Sequence, residues 1–209
     1  MTAMLLYAIL LAAGEGRRIG GPKALLRLGE TSFLAHGARL LGSRPGVSGV
    51  VGVIGAEAER VRSESGLDPG VTLVVNAAWR EGGMLSSALA GLEAAERLGA
   101  DAVLLHPVDH PAIAPETIDA VIAALLGGAR IAVPSFAGRR GHPGGFGRDA
   151  FPALRAAPSA LGAREVLRGH PEWVVHVPGD AGCIRGIDTR EDYAALLRDA
   201  ARAGDDRTG

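Results

Sequence analysis

Leu10-Leu11-Ala12-Ala13-Gly14-Glu15-Gly16-Arg17-Arg18-Ile19-Gly20-Gly21-Pro22-Lys23 decides how this chain is read. An apolar run from Met4 to Leu11 stops abruptly in a segment with four glycines and three cations, and apolar residues resume at Ala24. A buried strand that opens into a bare, basic loop is how α/β proteins hold phosphates. Glycine lets the backbone approach and aim N–H groups at an anion, while Arg and Lys supply charge. The stretch predicts a loop for a nucleoside triphosphate. It is neither of two better-known loops. The Walker pattern needs Gly-Lys-Ser/Thr, but Pro22 precedes Lys23 and Ala24 follows it. The dinucleotide fingerprint needs glycines at offsets zero, two and five, and here Ile19 stands at the third position.

Outward from the loop, apolar periodicity and turn residues lay out the remaining elements. Ala24 to Leu28 reads as a short extended piece. Thr31 or Ser32 caps a helix to about Leu41, with Phe33, Leu34, Leu40 and Leu41 inward. Strands are expected at Val47–Ile54, Val71–Val75, Asp101–Leu105, Ala129–Val133 and Trp173–Val177. Helices are expected at Ala56–Ser65, Met84–Leu98 (Leu85, Leu89 and Leu92 on one face), Pro115–Leu126, Asp149–Arg155 and Ala160–Arg168. A last one runs from a Thr189 cap to Arg202. Asn76–Gly83 reads as a loop, and Pro134–Gly147 as a loop or ragged hairpin. Strands alternating with helices imply an α/β fold with a mainly parallel sheet covered on both faces. In such sheets ligands sit at the carboxyl ends of strands. Three loops, Ala12–Lys23, Asn76–Ser87 and His106–Pro111, are therefore expected to meet.

The bulk properties set limits. Length 209 suits one well-buried domain, expected over residues 1–209, and no repeat or linker marks a second. With 47% hydrophobic but only 4% aromatic residues, the core is aliphatic. A net charge of -1 gives no support to nucleic-acid binding. The single cysteine, Cys183, excludes an internal disulfide framework and fits a reducing cytoplasm, the expected location. The first residues carry no positive n-region and read as a first strand rather than a signal peptide, and no run approaches a membrane span.

At this point several segments, in order, resemble one family. Leu11-Ala12-Ala13-Gly14-x-Gly16-x-Arg18-Ile19-Gly20-x-x-Lys23 is similar to the signature of the nucleotidyltransferases related to molybdenum cofactor cytidylyltransferase and its guanylyltransferase cousins. Asn76-x-x-Trp79-x-Glu81-Gly82-Gly83-Met84-x-Ser86-Ser87 resembles the family's second loop, and Asp109-x-Pro111 its metal-binding turn. Arg140-Gly141-His142-Pro143 resembles the third motif, and Ile187-Asp188-Thr189-x-Glu191-Asp192-Tyr193 the closing one.

The resemblance implies a three-layer α/β/α, Rossmann-like nucleotidyltransferase fold. It further implies an enzyme that joins a nucleoside triphosphate to a phosphate on a second substrate, here a molybdopterin-type cofactor, and releases pyrophosphate. By resemblance, Leu11, Ala12, Ala13, Gly14, Gly16, Gly82, Ser86 and Ser87 bind the nucleotide. Arg18 and Lys23 grip its phosphates, and Arg18, Lys23 and Asp109 form the catalytic set. Asp109 and Asp188 hold magnesium, and His142 belongs either to the second-substrate site or to the loop as a structural donor. Ala13, where guanylyl members carry glycine, points to CTP over GTP. A molybdoenzyme is a possible partner; nucleic acid and membrane are not.

Three positions depart from the family pattern. Val108 replaces a glycine before the metal aspartate, and His110 stands where Gln or Met is common. Gly186 replaces an aspartate two residues before Asp188, leaving Asp188 or Asp180 to take its place. His106 and His110 are four apart, but Pro107 and Pro111 forbid a helix and so a zinc pair. The altered Val108 and Gly186 leave room for a rival of the same family, a nicotine-blue-type NAD(P)H oxidoreductase; a second rival, not an enzyme, is a carrier that holds a nucleotide-bearing cofactor without turnover.

Overall fold

The computed structural model describes residues 4–158 and 162–205, with side chains 203–205 left aside. In chain order the elements are β1 (Leu6–Ala12), β2 (Arg27–Leu28), β3 (Thr31–Ser32), α1 (Phe33–Gly42), β4 (Val47–Ile54), α2 (Ala58–Glu64) and β5 (Thr72–Val75). They continue with α3 (Trp79–Arg97), β6 (Ala102–Pro107), α4 (Pro115–Leu126), β7 (Ile131–Phe136), β8 (Arg139–Arg140) and β9 (Gly144–Gly147). The last are α5 (Phe151–Ala156), α6 (Ala163–Gly169), β10 (Val174–Pro178) and α7 (Arg190–Asp205).

β1 is the centre of the sheet because both of its faces are apolar. Leu6, Ala8, Leu10 and Ala12 point to the core shared with α1 and α4, and Ile9 points to the core shared with α3, α5 and α6. Strand order is β10-β7-β9-β6-β1-β4-β5, with β8 on β7. β1 pairs in parallel with β4 on one side and β6 on the other, so the chain reverses its winding direction there. That switch point leaves a crevice beyond the strands' carboxyl ends. The expected α/β fold, mainly parallel and covered on both faces, is present. Among the described residues no helix is long and apolar enough to cross a membrane.

Local chemistry accounts for the boundaries. Ser32 accepts a hydrogen bond from the Ala35 amide at 3.0 Å and so starts α1, and Pro115 opens α4. Three expectations need correction. Ala24–Leu28 is not one extended piece: Lys23–Leu25 is a tight 3-10 turn, and only Arg27–Leu28 is extended, paired with β3. The Asn76–Gly83 loop is shorter than expected, because Trp79–Gly82 already forms a helical turn, separated from the rest of α3 at Gly83 (φ 60°, ψ -156°). Within Pro134–Gly147 the hairpin is present, β7 turning back on β8, but β9 is in addition an antiparallel strand inside the sheet, between β6 and β7. Ala160, the expected start of the next helix, lies outside the described residues; α6 begins at Ala163.

Candidate active site

The three predicted loops do meet. A cavity of about 580 Å³ at the switch point is lined by Leu11 to Arg17, Lys23 and Ala24, by Trp79, Arg80, Gly83, Met84 and Ser87, and by Pro107 to Asp109. Of the residues expected to bind nucleotide, Leu11, Ala12, Ala13, Gly14, Gly16, Lys23 and Ser87 line it. Arg18, Gly82 and Ser86 do not; of the two residues expected to hold metal, Asp109 lines it and Asp188 does not. Sequence reasoning counted Arg17 among the loop's three cations but gave it no role, and it did not single out Arg80.

The glycine loop divides its amides. The Gly16 carbonyl accepts hydrogen bonds from the amides of Ile19 (3.0 Å), Gly20 (3.0 Å) and Gly21 (3.2 Å). Those three donors are spent inside the loop, so the anion-facing part is its first half. Glu15 pairs with Arg17 and, at 3.3 Å, with Arg80, which also lies over the Trp79 ring at 4.7 Å. The first and second loops are thereby tied together above the cavity.

Beneath them lies a bridged pair of carboxylates. Lys23 Nζ donates to Asp109 Oδ2 at 2.7 Å and to Asp188 Oδ1 at 2.5 Å, and Arg18 adds a 3.0 Å contact to the same Asp188 oxygen. Backbone geometry sets this meeting. The Ile187 amide donates to the Asp109 carbonyl at 2.8 Å, zipping the closing motif to the end of β6. Asp188 is then fixed by the cap of α7. Asp192 Oδ2 accepts from the amides of Asp188 and Thr189, and Thr189 Oγ1 accepts from the Asp192 amide. This is a reciprocal capping box. Burial alone raises Asp109, but hydrogen bonds from His110 and Lys23, and their charges, outweigh it and hold its carboxyl well below the usual range.

Asp180 is no substitute ligand. Its carboxylate accepts from Thr117 Oγ1 (2.7 Å) and the Ala114 and Gly182 amides, clamping the start of α4. Gly186 faces His110, where an added Cβ would stand 3.3 Å from the ring. The imidazole thus occupies the space beside residue 186, while its Nδ1 lies 2.8 Å from Asp109 Oδ1. His142 meets His110 edge to face at 4.8 Å, and His106 meets it at 6.3 Å. His106, 2% exposed, is pushed down to about 3 by burial, and burial takes His142 down to about 4. Val108 is buried in the core, which accommodates it. Trp79 lines the cavity.

A second cavity, about 840 Å³, adjoins the first and shares Leu11, Arg80, Gly83 and Met84 with it. His142, Gly82 and Arg140 line this one.

Residues 8–186 match the MobA-like NTP transferase domain. The chain belongs to that family. A nicotine blue oxidoreductase from Paenarthrobacter nicotinovorans is 35% identical to this MobA-like domain over 202 residues, covering 90% of this chain and 95% of the relative. A molybdenum cofactor guanylyltransferase from Cereibacter sphaeroides is 35% identical over 145 residues, 67% of each protein. Among solved structures, Rv0371c from Mycobacterium tuberculosis H37Rv superimposes with a TM-score of 0.78 at 28% identity, covering 94% of this chain and 100% of that one. The manganese complex of Rv0371c superimposes at 0.70 with 25% identity, over 93% and 99%. The MobA-like family is one of nucleotidyltransferases, and the fold and switch-point crevice of this chain are those of such an enzyme.

Proposed function

We propose that the protein, acting as a single domain, transfers CMP from CTP to the phosphate of a molybdopterin-type cofactor and releases pyrophosphate. The observation that carries this reading is the convergence of Lys23 on Asp109 and Asp188 at a glycine-walled cavity. An ammonium, two carboxylates and unspent loop amides are what a polyphosphate and a divalent ion need on opposite sides.

In this reading Gly14 to Arg17 and Lys23 hold the triphosphate. Asp109 and Asp188 would hold magnesium. Both are hard oxygen donors within reach of one cation, and among the described residues no larger His, Cys, Asp or Glu cluster offers another metal site. The ion, when bound, neutralises phosphate charge. Lys23 bridges the two acids here, and its ammonium is placed to turn toward the phosphates. Arg18, held at Asp188, stands beside that exchange. An oxygen of the acceptor phosphate attacks the α-phosphorus, and the bond to the bridging oxygen of the leaving pyrophosphate breaks. The acceptor is already ionised, so alignment and charge neutralisation do the work and no general base is required.

Ala13, which stands where guanylyl members carry glycine, lines the cavity and supports CTP. His142, at the second cavity, fits an acceptor-side role. Pyrophosphate release from CTP, magnesium and molybdopterin tests the proposal; none with any nucleoside triphosphate refutes it.

One observation favours a second reading, NAD(P)H-dependent reduction. The oxidoreductase relative aligns almost from end to end, whereas the guanylyltransferase covers two thirds. Oxidation of NADPH with a quinonoid dye, in the absence of any nucleoside triphosphate, would establish it.

A further inference from the structure

The second cavity has an unusual charge balance. Its floor is apolar and buried, formed by Leu105, Val133, Phe146 and Leu167. Around it stand Arg140 from β8 and Arg164 and Arg168 from α6, against a single acid, Glu81. Among the described residues none of these three arginines makes an ion pair, whereas Arg17, Arg18, Arg44, Arg60, Arg80, Arg97, Arg130, Arg148, Arg155 and Arg185 all do. Three guanidinium groups without an ion pair thus surround one cavity, whereas Arg27, Arg39, Arg62, Arg139, Arg190, Arg198 and Arg202, equally without one, do not line it.

Arg164 and Arg168 are four apart on α6, hence on one face. Arg140 comes from a different element, next to His142. Like charges around a low-dielectric cleft repel one another and focus a positive potential into it, a cost relieved by an anion. Guanidinium forks are suited to planar or tetrahedral oxyanions, which they bind bidentately. The cavity's volume is that of a drug-sized ligand, and the wall it shares with the first cavity brings such a ligand against the nucleotide.

We propose that the second cavity binds an acceptor with an apolar body and two separate anionic groups, one met by Arg140 near the nucleotide and the other clamped by Arg164 and Arg168. The α6 pair is therefore a specificity determinant that rejects acceptors with a single charge. The word acceptor rests on the nucleotidyl-transfer reading above; the anion clamp does not.

Calorimetric titration with naphthalene monosulfonate and naphthalene disulfonate tests the clamp, because the two share one apolar body and differ by one anion. The wild type should bind the disulfonate about tenfold more tightly, the yield of one added charge-assisted contact. Arg164→Gln with Arg168→Gln should reduce that advantage to about twofold or less, and Arg164→Lys with Arg168→Lys should keep part of it. Thermal melts without ligand check that the variants are folded. An unchanged preference in the double Gln variant, or no preference in the wild type, overturns the clamp. In the same series, wild-type stabilisation by CTP with magnesium is measured. Its absence, with the disulfonate preference behaving as expected, would remove the nucleotide reading and leave the clamp standing.

Discussion

The two cavities meet at Leu11 and Met84 but are built in different ways. The first is made largely of short contiguous segments, each ending a strand of a parallel sheet, so its chemistry is local in sequence. The second draws Arg140, Phe146, Arg164 and Leu167 from the antiparallel strands and a short helix, far from the glycine loop. A phosphate grip is written as a motif because backbone amides must be contiguous to converge on one anion. An acceptor pocket is assembled from side chains whose meeting depends on tertiary packing, and little of it shows along the chain.

The sharpest way to break this contrast is at Lys23 and Asp109. Asp109→Asn and Lys23→Ala should each lower the transfer rate by about a thousandfold, the scale of a lost preorganised charge. Arg164→Gln should instead raise the acceptor KM with little change in kcat. Steady-state kinetics with varied acceptor checks both; equal kcat losses in all three variants would dissolve the distinction between the cavities.

Next in size is a pH effect in the buried core close to Asp109. His106 is buried and neutral, with its value lowered from 6.5 to about 3. Below pH 6.5 the unfolded chain therefore takes up a proton that the folded one refuses, so stability falls with pH until about 3. The loss is about 2 kcal/mol at pH 5. His106→Gln should remove that part of the slope, leaving the share from His142 on the same limb. Urea midpoints at neutral pH and at pH 5 give the comparison.

The site was only half legible in the sequence, for physical reasons. The loop glycines, Lys23 and Asp109 stood out as candidates because they follow buried strands in the sequence, and Asp188 because of the family resemblance. The β9 strand did not. Gly144-Gly145-Phe146-Gly147 has almost no strand-forming side chains, and it enters the sheet because α4 packs on it so closely that a Cβ at Gly145 would lie 2.8 Å from Leu125 and Val121. Glycine there answers a tertiary demand. Similarly, Gly186 looked like a missing carboxylate, and only packing shows that His110 fills the adjoining space.

That pairing can be tested directly. Gly186→Asp should cost about 1 kcal/mol, since the new side chain must displace the His110 ring. Combining it with His110→Ala should recover most of the loss, a coupling visible in denaturant midpoints. Additive losses would mean that the ring and residue 186 do not share the space.

The smallest expected effect separates two neighbouring serines that the motif treats alike. Asn76 Nδ2 donates to both hydroxyls, Ser86 Oγ at 2.8 Å and Ser87 Oγ at 3.0 Å; Ser86 Oγ also donates to the Gly83 carbonyl (2.9 Å) and does not line the first cavity, whereas Ser87 does. A hydroxyl whose proton is already given to its own helix turn offers a ligand less. One that faces the cavity loses a nucleotide contact when removed. Ser87→Ala should weaken CTP binding about fivefold and Ser86→Ala by about twofold or less, on the scale of a neutral hydrogen bond. If calorimetry with CTP and magnesium reversed that order, the bound nucleotide would have to reach past Gly83 toward the second cavity, and the boundary between the two regions would move with it.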